Sequence, residues 1–385
     1  MNYTKMYQAL RKILDKDEQI DYAMSSRTAY LVELWAGMYA GKAPWLSKTV
    51  EEAGIPAAIS GEIARLTTLE LKSTIEGSTC ANYINAVYQG VLGKLRVQTE
   101  YAFAKGGMVF KHVTDSGISI QYIQADGFFP LEFDSDKIVK CAFLDQYRKN
   151  DDIYSRVELH SLRNDVLTIR NRAFVSRIEG MLGSEIPVGS VPKWEGLTGE
   201  VRISGVQKLP FGYFSVPMGN HQDTSSPVGV SVYSRAVGRI SEADKRYSQI
   251  NWEYDSKETA VHIAQHLLKY RKDTDSFEYP GGKERMYRAL EYNSGAVDKP
   301  FIDTYSPDIR DTSFYNGWNH LMRMIEFECN LAYGTLSDPN NTITQIILYA
   351  LALCKKNEKI FVRRKEKTIS SRIKLRTAVH AWEMV

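Results

Sequence analysis

The chain has 385 residues, 43% hydrophobic and 25% charged, enough to bury a sizeable core and divide into two or three compact units; a disordered chain is excluded. Its 49 Lys and Arg nearly balance 46 Asp and Glu, but ten basic against three acidic residues lie from Lys355 onward, which leaves the first 354 residues at −4 and makes only the tail basic. A body of that sign does not grip phosphates over a broad face.

The N-terminus MNYTKMYQALRKILDKDEQ is too polar for a signal peptide, and the longest apolar run, 346–354, is far short of the roughly 20 residues of a membrane span. The expected location is therefore the cytoplasmic side, without membrane contact. Four separated cysteines (Cys80, Cys141, Cys329, Cys354) with no CxxC read as reduced thiols.

In chain order, Met6, Leu10, Ile13 and Leu14 predict an amphipathic helix over Tyr3–Leu14. After a stretch bearing Trp35 and Trp45, a second helix is predicted from an N-cap at Ser60, with Glu62 in its first turn, to a stop at Gly77. A third covers Ala81 to Leu95, with Ile84, Val87, Tyr88, Val91 and Leu95 along one side. From about Val97 to Phe174 the period changes from helical to alternating. The segments GMVFKHV, ISIQYIQ, GFFPLEF, KIVKCAFLDQYRK, IYSRVELHSL and VLTIRNRAFV predict six strands, with turns at Asp115-Ser116-Gly117 and Arg163-Asn164-Asp165. They form an antiparallel meander or small barrel-like unit, and no glycine-rich strand-to-helix loop supports a dinucleotide fold or P-loop.

Gly and Pro concentrate over 175–228 and predict an extended connector. A long amphipathic helix is then expected from Val228 to Tyr254, with Val232, Ala236, Ile240, Ala243, Tyr247 and Ile250 on one face and Arg235, Arg239, Glu242, Lys245 and Arg246 on the other. Ser256 to Tyr305 contains a turn at Pro280-Gly281-Gly282. A last helix runs from Asp311 to Ala332, with Phe314, Trp318, Leu321, Ile325 and Cys329 along one face. The fold class is α+β, with two helices bracketing a compact β-containing insert.

None of the patterns GxSxG, HExxH, GxxxxGK[ST] or the EF-hand occurs. His262 and His266 in HIAQH have the i, i+4 spacing that places two imidazoles on one helical face, but a third ligand is missing and a plain polar face is the preferred reading. The adjacent pairs Asp151-Asp152 and Glu51-Glu52 point apart and read as solvated turns. Tyr270, Tyr279 and Tyr287 interleave with Arg and Lys, which favours aromatic packing at subunit contacts over stacking on single-stranded nucleic acid. No enzyme activity, cofactor or metal is expected.

Specific strings carry more than composition. TVEEAGIPAAISGEIARLTTLELK, AFAKGGMVFKHV with IQYIQADGFFPLEFD, LPFGYFSVPMGNHQDTSSPVGVSVYSRAV, GGKERMYR and IEFECNLAYGTLSDPNN occur in an order and spacing that resembles the portal proteins of long-tailed phages and prophages of Gram-positive hosts. The resemblance runs from near the N-terminus to about Asn341. It implies a wing (1–227), a long wing or stem helix (228–255), a clip region (256–310), a second stem helix (311–332), a tunnel loop (333–341) and a divergent basic tail (342–385).

The resemblance further implies a homo-oligomeric ring, dodecameric in the virion, at one capsid vertex. Its partners would be the terminase large subunit, the head-tail adaptor, capsid and scaffold proteins, and the double-stranded DNA passing through the channel. A strongly basic bore would bind the duplex through many released counterions and stall it, so Thr335, Ser337 and Asp338 of the tunnel loop are expected to face the bore with short polar chains. Lys283, Arg285 and Arg288 of the clip are candidate contacts to terminase, adaptor or a neighbouring subunit. After Asn341 the family pattern of a long helix and crown does not continue, which implies a frameshifted or truncated gene; a nucleic-acid-binding tail is the other reading. Competing readings of the whole are a nucleic-acid-processing enzyme with a β-rich domain, or another virion component such as a tail or baseplate protein.

Overall fold

The computed structural model describes residues 2–15, 20, 22–113, 119–135, 137–224, 226–257, 260–264, 269–273, 275–278, 287–290, 302–305 and 308–338; for 260–264, 269, 276–278, 287–290 and 302–305 it describes the backbone alone. The fold is α+β, and its larger sheets are antiparallel.

Helix α1 (Tyr3–Leu14) forms where its spacing predicts, started by Asn2, whose side chain accepts from Lys5 N–H. It buries Tyr3, Met6, Tyr7, Leu10 and Leu14. Helix α2 (Ser26–Tyr39), which the reading of the sequence passed over, is capped by Ser25 and buries Ala29, Val32, Trp35 and Met38 at three-residue steps.

The N-cap expected at Ser60 is corrected. Helix α3 (Ile55–Thr68) has its N-cap six residues earlier, at Gly54, which adopts φ +73°, and Pro56 supplies a preset φ in the first turn. Ser60 lies inside it, wholly buried, and its hydroxyl donates to the Pro56 carbonyl at 2.9 Å. Helix α4 is longer than expected at both ends (Thr79–Lys105); Ser78 caps it and Gly106, at φ +97°, stops it.

Strands β1 (Gly107–Val113), β2 (Ser119–Gln124), β3 (Phe128–Asp134), β4 (Lys137–Lys149), β5 (Asp152–Arg163) and β6 (Val166–Ser176) follow the six alternating segments closely. The β5–β6 hairpin closes with Asn164 and Asp165 both at positive φ, the backbone of a type I′ turn; the turn expected at Asp115-Ser116-Gly117 lies outside the described residues. The unit is a meander of β3, β4, β5 and β6, not a barrel, while β1 and β2 pair in a separate sheet.

The expected connector over 175–228 is corrected as well, because it supplies three strands that need partners. β7 (Ser184–Ile186) and β8 (Glu200–Ser204) both pair with β6, and β9 (Phe211–Ser215) pairs with β1.

Alternation then builds three layers. Phe129, Leu131, Ala142, Val157, Leu159 and Phe174 face the helices, whereas Phe128, Cys141 and Phe143 face the sheet of β1, β2 and β9. Tyr3 stacks on Phe129 with ring centroids 4.6 Å apart and donates its hydroxyl to the Phe128 carbonyl at 2.7 Å, locking α1 to the meander.

The helix expected from Val228 begins only at Val237, as α5 (Val237–Ser256). Residues 228–236 thread the core instead, with Val230, Tyr233 and Ala236 buried and Val232 N–H donating to the Phe103 carbonyl at 3.0 Å. The backbone crossing of Gly229 against Gly106 and the Val232 N–H bond to Phe103 take up this stretch in place of helical hydrogen bonds. This core is shared from Tyr3 to Cys329, so the expected boundary at 227 falls inside it.

After α5, β10 (Ala260–Ala264) pairs in parallel with β13 (Tyr287–Leu290) and antiparallel with β14 (Ile302–Tyr305). β11 (Lys269–Arg271) and β12 (Ser276–Glu278) form a hairpin between them. Helix α6 (Asp311–Glu328) completes the described architecture, ending four residues before the expected Ala332.

Candidate functional site

The candidate site is the pair α5 and α6, the insert between them and the loop that follows. The helices run antiparallel: Arg310, at the start of α6, closes its guanidinium on buried Glu253 near the end of α5 at 2.8 and 3.1 Å, while Arg239, near the start of α5, approaches Glu328 at the end of α6 at 3.6 Å. Between them Tyr247 and Trp318 meet with centroids 6.0 Å apart. The insert leaves on β10 and returns on β14, which are paired, so its base is closed.

One stripe of α5 is tied to the 45–53 segment. Asp244, buried, accepts from Trp45 Nε1–H at 2.8 Å and Ala53 N–H at 2.9 Å; one turn on, Ser248 accepts from Glu51 N–H at 2.7 Å. Removing the carboxylate leaves two part-buried donors without their partner, so Asp244→Ala should lower unfolding free energy by about 1–3 kcal/mol in a denaturant titration.

Between α5 and α6 lies an open cleft of about 410 Å³ with Phe314, Trp318 and Leu321 in its walls and Arg239, Arg246 and Arg310 at its rim. Each guanidinium already meets a carboxylate of the same helix pair: Glu253 for Arg310, Glu242 and Glu328 for Arg239, and Glu242 at 3.9 Å for Arg246. The rim is therefore largely charge-compensated.

The expected loop residues all follow α6. Thr335 donates its hydroxyl to the Ala332 carbonyl at 2.6 Å, and Asp338 N–H donates to Asn319 Oδ1 at 2.7 Å. Ser337 is corrected: it is 5% exposed, turned inward with its hydroxyl donating to Glu326 at 2.8 Å, and does not present that hydroxyl outward. The loop runs back along α6, since Ser337 meets Glu326 and Asp338 meets Asn319, two turns apart on that helix.

Of the clip candidates, Lys283 and Arg285 lie outside the described residues, and Arg288 lies in β13, opposite His262 of β10, where the backbone alone is described. His262 is thus on a strand, so the helical-face argument for HIAQH does not hold; His266 lies outside the described residues. Neither a family model nor a curated protein matches the chain.

Sequence reasoning missed Asp244 and Glu326. Both sit on the apolar stripe of their helices, Asp244 beside Ala243 and Glu326 beside Ile325, and an acid on a buried stripe is the signal that could have found them. It also missed a charged cluster between the two large sheets, where Glu158 accepts from Lys111 Nζ and His160 Nε2–H, each at 2.6 Å, with Arg156 at 3.2 Å. Among the described residues no group of three or more His, Cys, Asp and Glu converges as a metal ion would require, and no helix is long and apolar enough to cross a membrane. Cys141 and Cys329 are buried and free; burial pushes the Cys329 thiol up to about 12, which leaves it unreactive.

Proposed function

We propose that the chain is the portal subunit of a tailed phage or prophage: a virion protein whose copies close into a ring at one capsid vertex, through which duplex DNA is packaged and ejected. The observation that carries this reading is the antiparallel pair α5 and α6 bracketing an insert closed at its base by β10 and β14, with a short polar loop directly after α6. Two further features support it. The compensated arginines of the α5–α6 cleft and the mildly acidic body suit a surface past which DNA slides, because unpaired cations would hold phosphates through released counterions. Exposed Trp252, Tyr315 and Phe327 on the same two helices are apolar surface of the kind that subunit contacts cover.

In this reading the insert, with Lys283, Arg285 and Arg288, docks the terminase large subunit and the head-tail adaptor, and the shell of helices and sheets packs against neighbouring copies and against capsid and scaffold proteins. A closed ring of identical copies uses two different faces of each chain. Negative-stain imaging and size-exclusion chromatography of the purified protein should show rings. A solitary monomer at every concentration tried, or Mg²⁺-dependent cleavage of DNA, would overturn the reading.

A further inference from the structure

The loop after α6 converges on one atom pair. Leu336 N–H and Ser337 N–H donate to Glu326 Oε1 at 2.6 and 2.8 Å, while Gly334 N–H and the Ser337 hydroxyl donate to Oε2 at 3.3 and 2.8 Å. Glu326 has no exposed surface. The turn is possible because Asn330 and Gly334 take positive φ, 56° and 89°, folding the chain back so that nearby amides point inward. Backbone N–H groups gathered in this way make a concavity that binds anions, phosphate among them. Here the anion is the chain's own.

We propose that Glu326 is a built-in anion that fills the donor nest of the loop 331–338 and so withholds those donors from phosphate groups outside. A carboxylate taking four donors, three of them backbone amides, leaves none of the four to an external oxyanion, and, being part of the chain, it is spared the cost of bringing in a second molecule. Asn319, which holds Asp338, is a second tether that leaves the nest untouched. The inference rests on the proposed function only for the identity of the outside anion, DNA phosphate; the filled nest stands on the loop geometry alone.

The test uses the purified full chain, with inorganic phosphate and a short DNA duplex as separate probes. In the wild type, the amides of 334, 336 and 337 should be protected from hydrogen exchange, and neither probe should bind at this loop. Glu326→Ala empties the nest: those amides should exchange about tenfold faster or more, and affinity for phosphate and for the duplex should rise about tenfold at low salt. Glu326→Gln removes the same charge but keeps the nest occupied, its one amide oxygen still accepting from Leu336 and Ser337 N–H while its NH2 gives up the Gly334 contact, so its gain should stay within about twofold, and Asn319→Ala should gain nothing.

Equal gains in the Ala and Gln variants would mean a bulk charge effect and overturn the proposal, as would no gain in a folded Glu326→Ala. A gain for the duplex with none for inorganic phosphate would also overturn it, since the donors converge on the two oxygens of a single group. Should the alanine variant fail to fold, Glu326→Ser replaces it. Wild-type exchange is then decisive by itself, because unprotected amides at 334, 336 and 337 overturn the proposal. Binding is read on single chains, so absence of rings would sink the portal reading without touching the nest, and an unfilled nest would leave the ring reading standing.

Discussion

Glu158→Ala is expected to cost about 3–5 kcal/mol of unfolding free energy, because it leaves the Lys111 ammonium between two sheets without its counter-charge and removes the partner of His160, while Arg156 keeps only the Asp145 carboxylate at 3.9 Å. The site is largely dry: Glu158 is 8% exposed and His160 1%, with Phe143 packed edge-on against the His160 ring at 5.2 Å and beneath the Lys111 ammonium at 4.7 Å. Burial opposes ionisation of Glu158, but the hydrogen bond from His160, with the charge and hydrogen bond of Lys111, outweighs it and holds the carboxyl down at about 2.

The sign of the pH dependence follows. The folded carboxyl titrates below its unfolded counterpart, so this contribution is complete above the ordinary carboxylate range near pH 4 and is lost as pH falls through about 2. Acid unfolding followed by tryptophan fluorescence should therefore show a wild-type stability loss between about pH 5 and 2 that the alanine variant lacks. An identical acid limb in both proteins would show that the cluster contributes nothing to it.

Gly106→Ala is the second large effect, at about 3 kcal/mol or more. Gly106 ends α4 at φ +97°, and a Cβ there would lie 2.6 Å from the Gly229 carbonyl oxygen, while a Cβ on Gly229 would lie 2.1 Å from that of Gly106. Two backbone segments cross here without room for a methyl group. The crossing also aligns the Gly106 carbonyl with Val216 N–H at 3.1 Å, so it positions β9 and the segment that feeds α5. Left-handed backbone and a backbone clash each cost about 1–3 kcal/mol.

The control lies on the same helix. A Cβ at Gly90 would meet nothing within 4 Å, so Gly90→Ala should be neutral or stabilising by about 0.5–1 kcal/mol. Urea midpoints of the two variants, read side by side, check both; equal midpoints would refute the crossing as a constraint.

The portions legible in the sequence are those where a local period meets a single buried face. α1 and strands β1 to β6 were readable to within a residue or two, because their apolar positions repeat at 3.6 or 2.0 and their turns carry Asn and Asp. The first turn of α3 was overlooked although Pro56 marks it, since Ser60 offered a more familiar cap. β7, β8 and β9 were hidden among Gly and Pro because an edge strand owes its existence to its partner, here β6 or β1, more than to its own residues.

The start of α5 shows the limit most clearly. Val232, Ala236, Ile240 and Ala243 keep helical spacing across a segment that is not helical before Val237, and nothing local reveals that Gly229 must pass Gly106. Sequence alone determined the α+β class, the order of the main elements and two helices around an insert, because these depend on short-range periodicity. Only the tertiary structure decided that Glu158 gathers Lys111, Arg156 and His160, that Asp244 pins the 45–53 segment and that Glu326 turns the loop after α6 inward. For Glu158, Arg156 and His160 are two residues away on the same strand face, but Lys111 lies 47 residues away on another sheet; for Asp244 the partners lie 199 and 191 residues away; for Glu326 they lie eight to eleven residues on, but beyond a chain reversal. A buried charge persists only where such partners are brought to it.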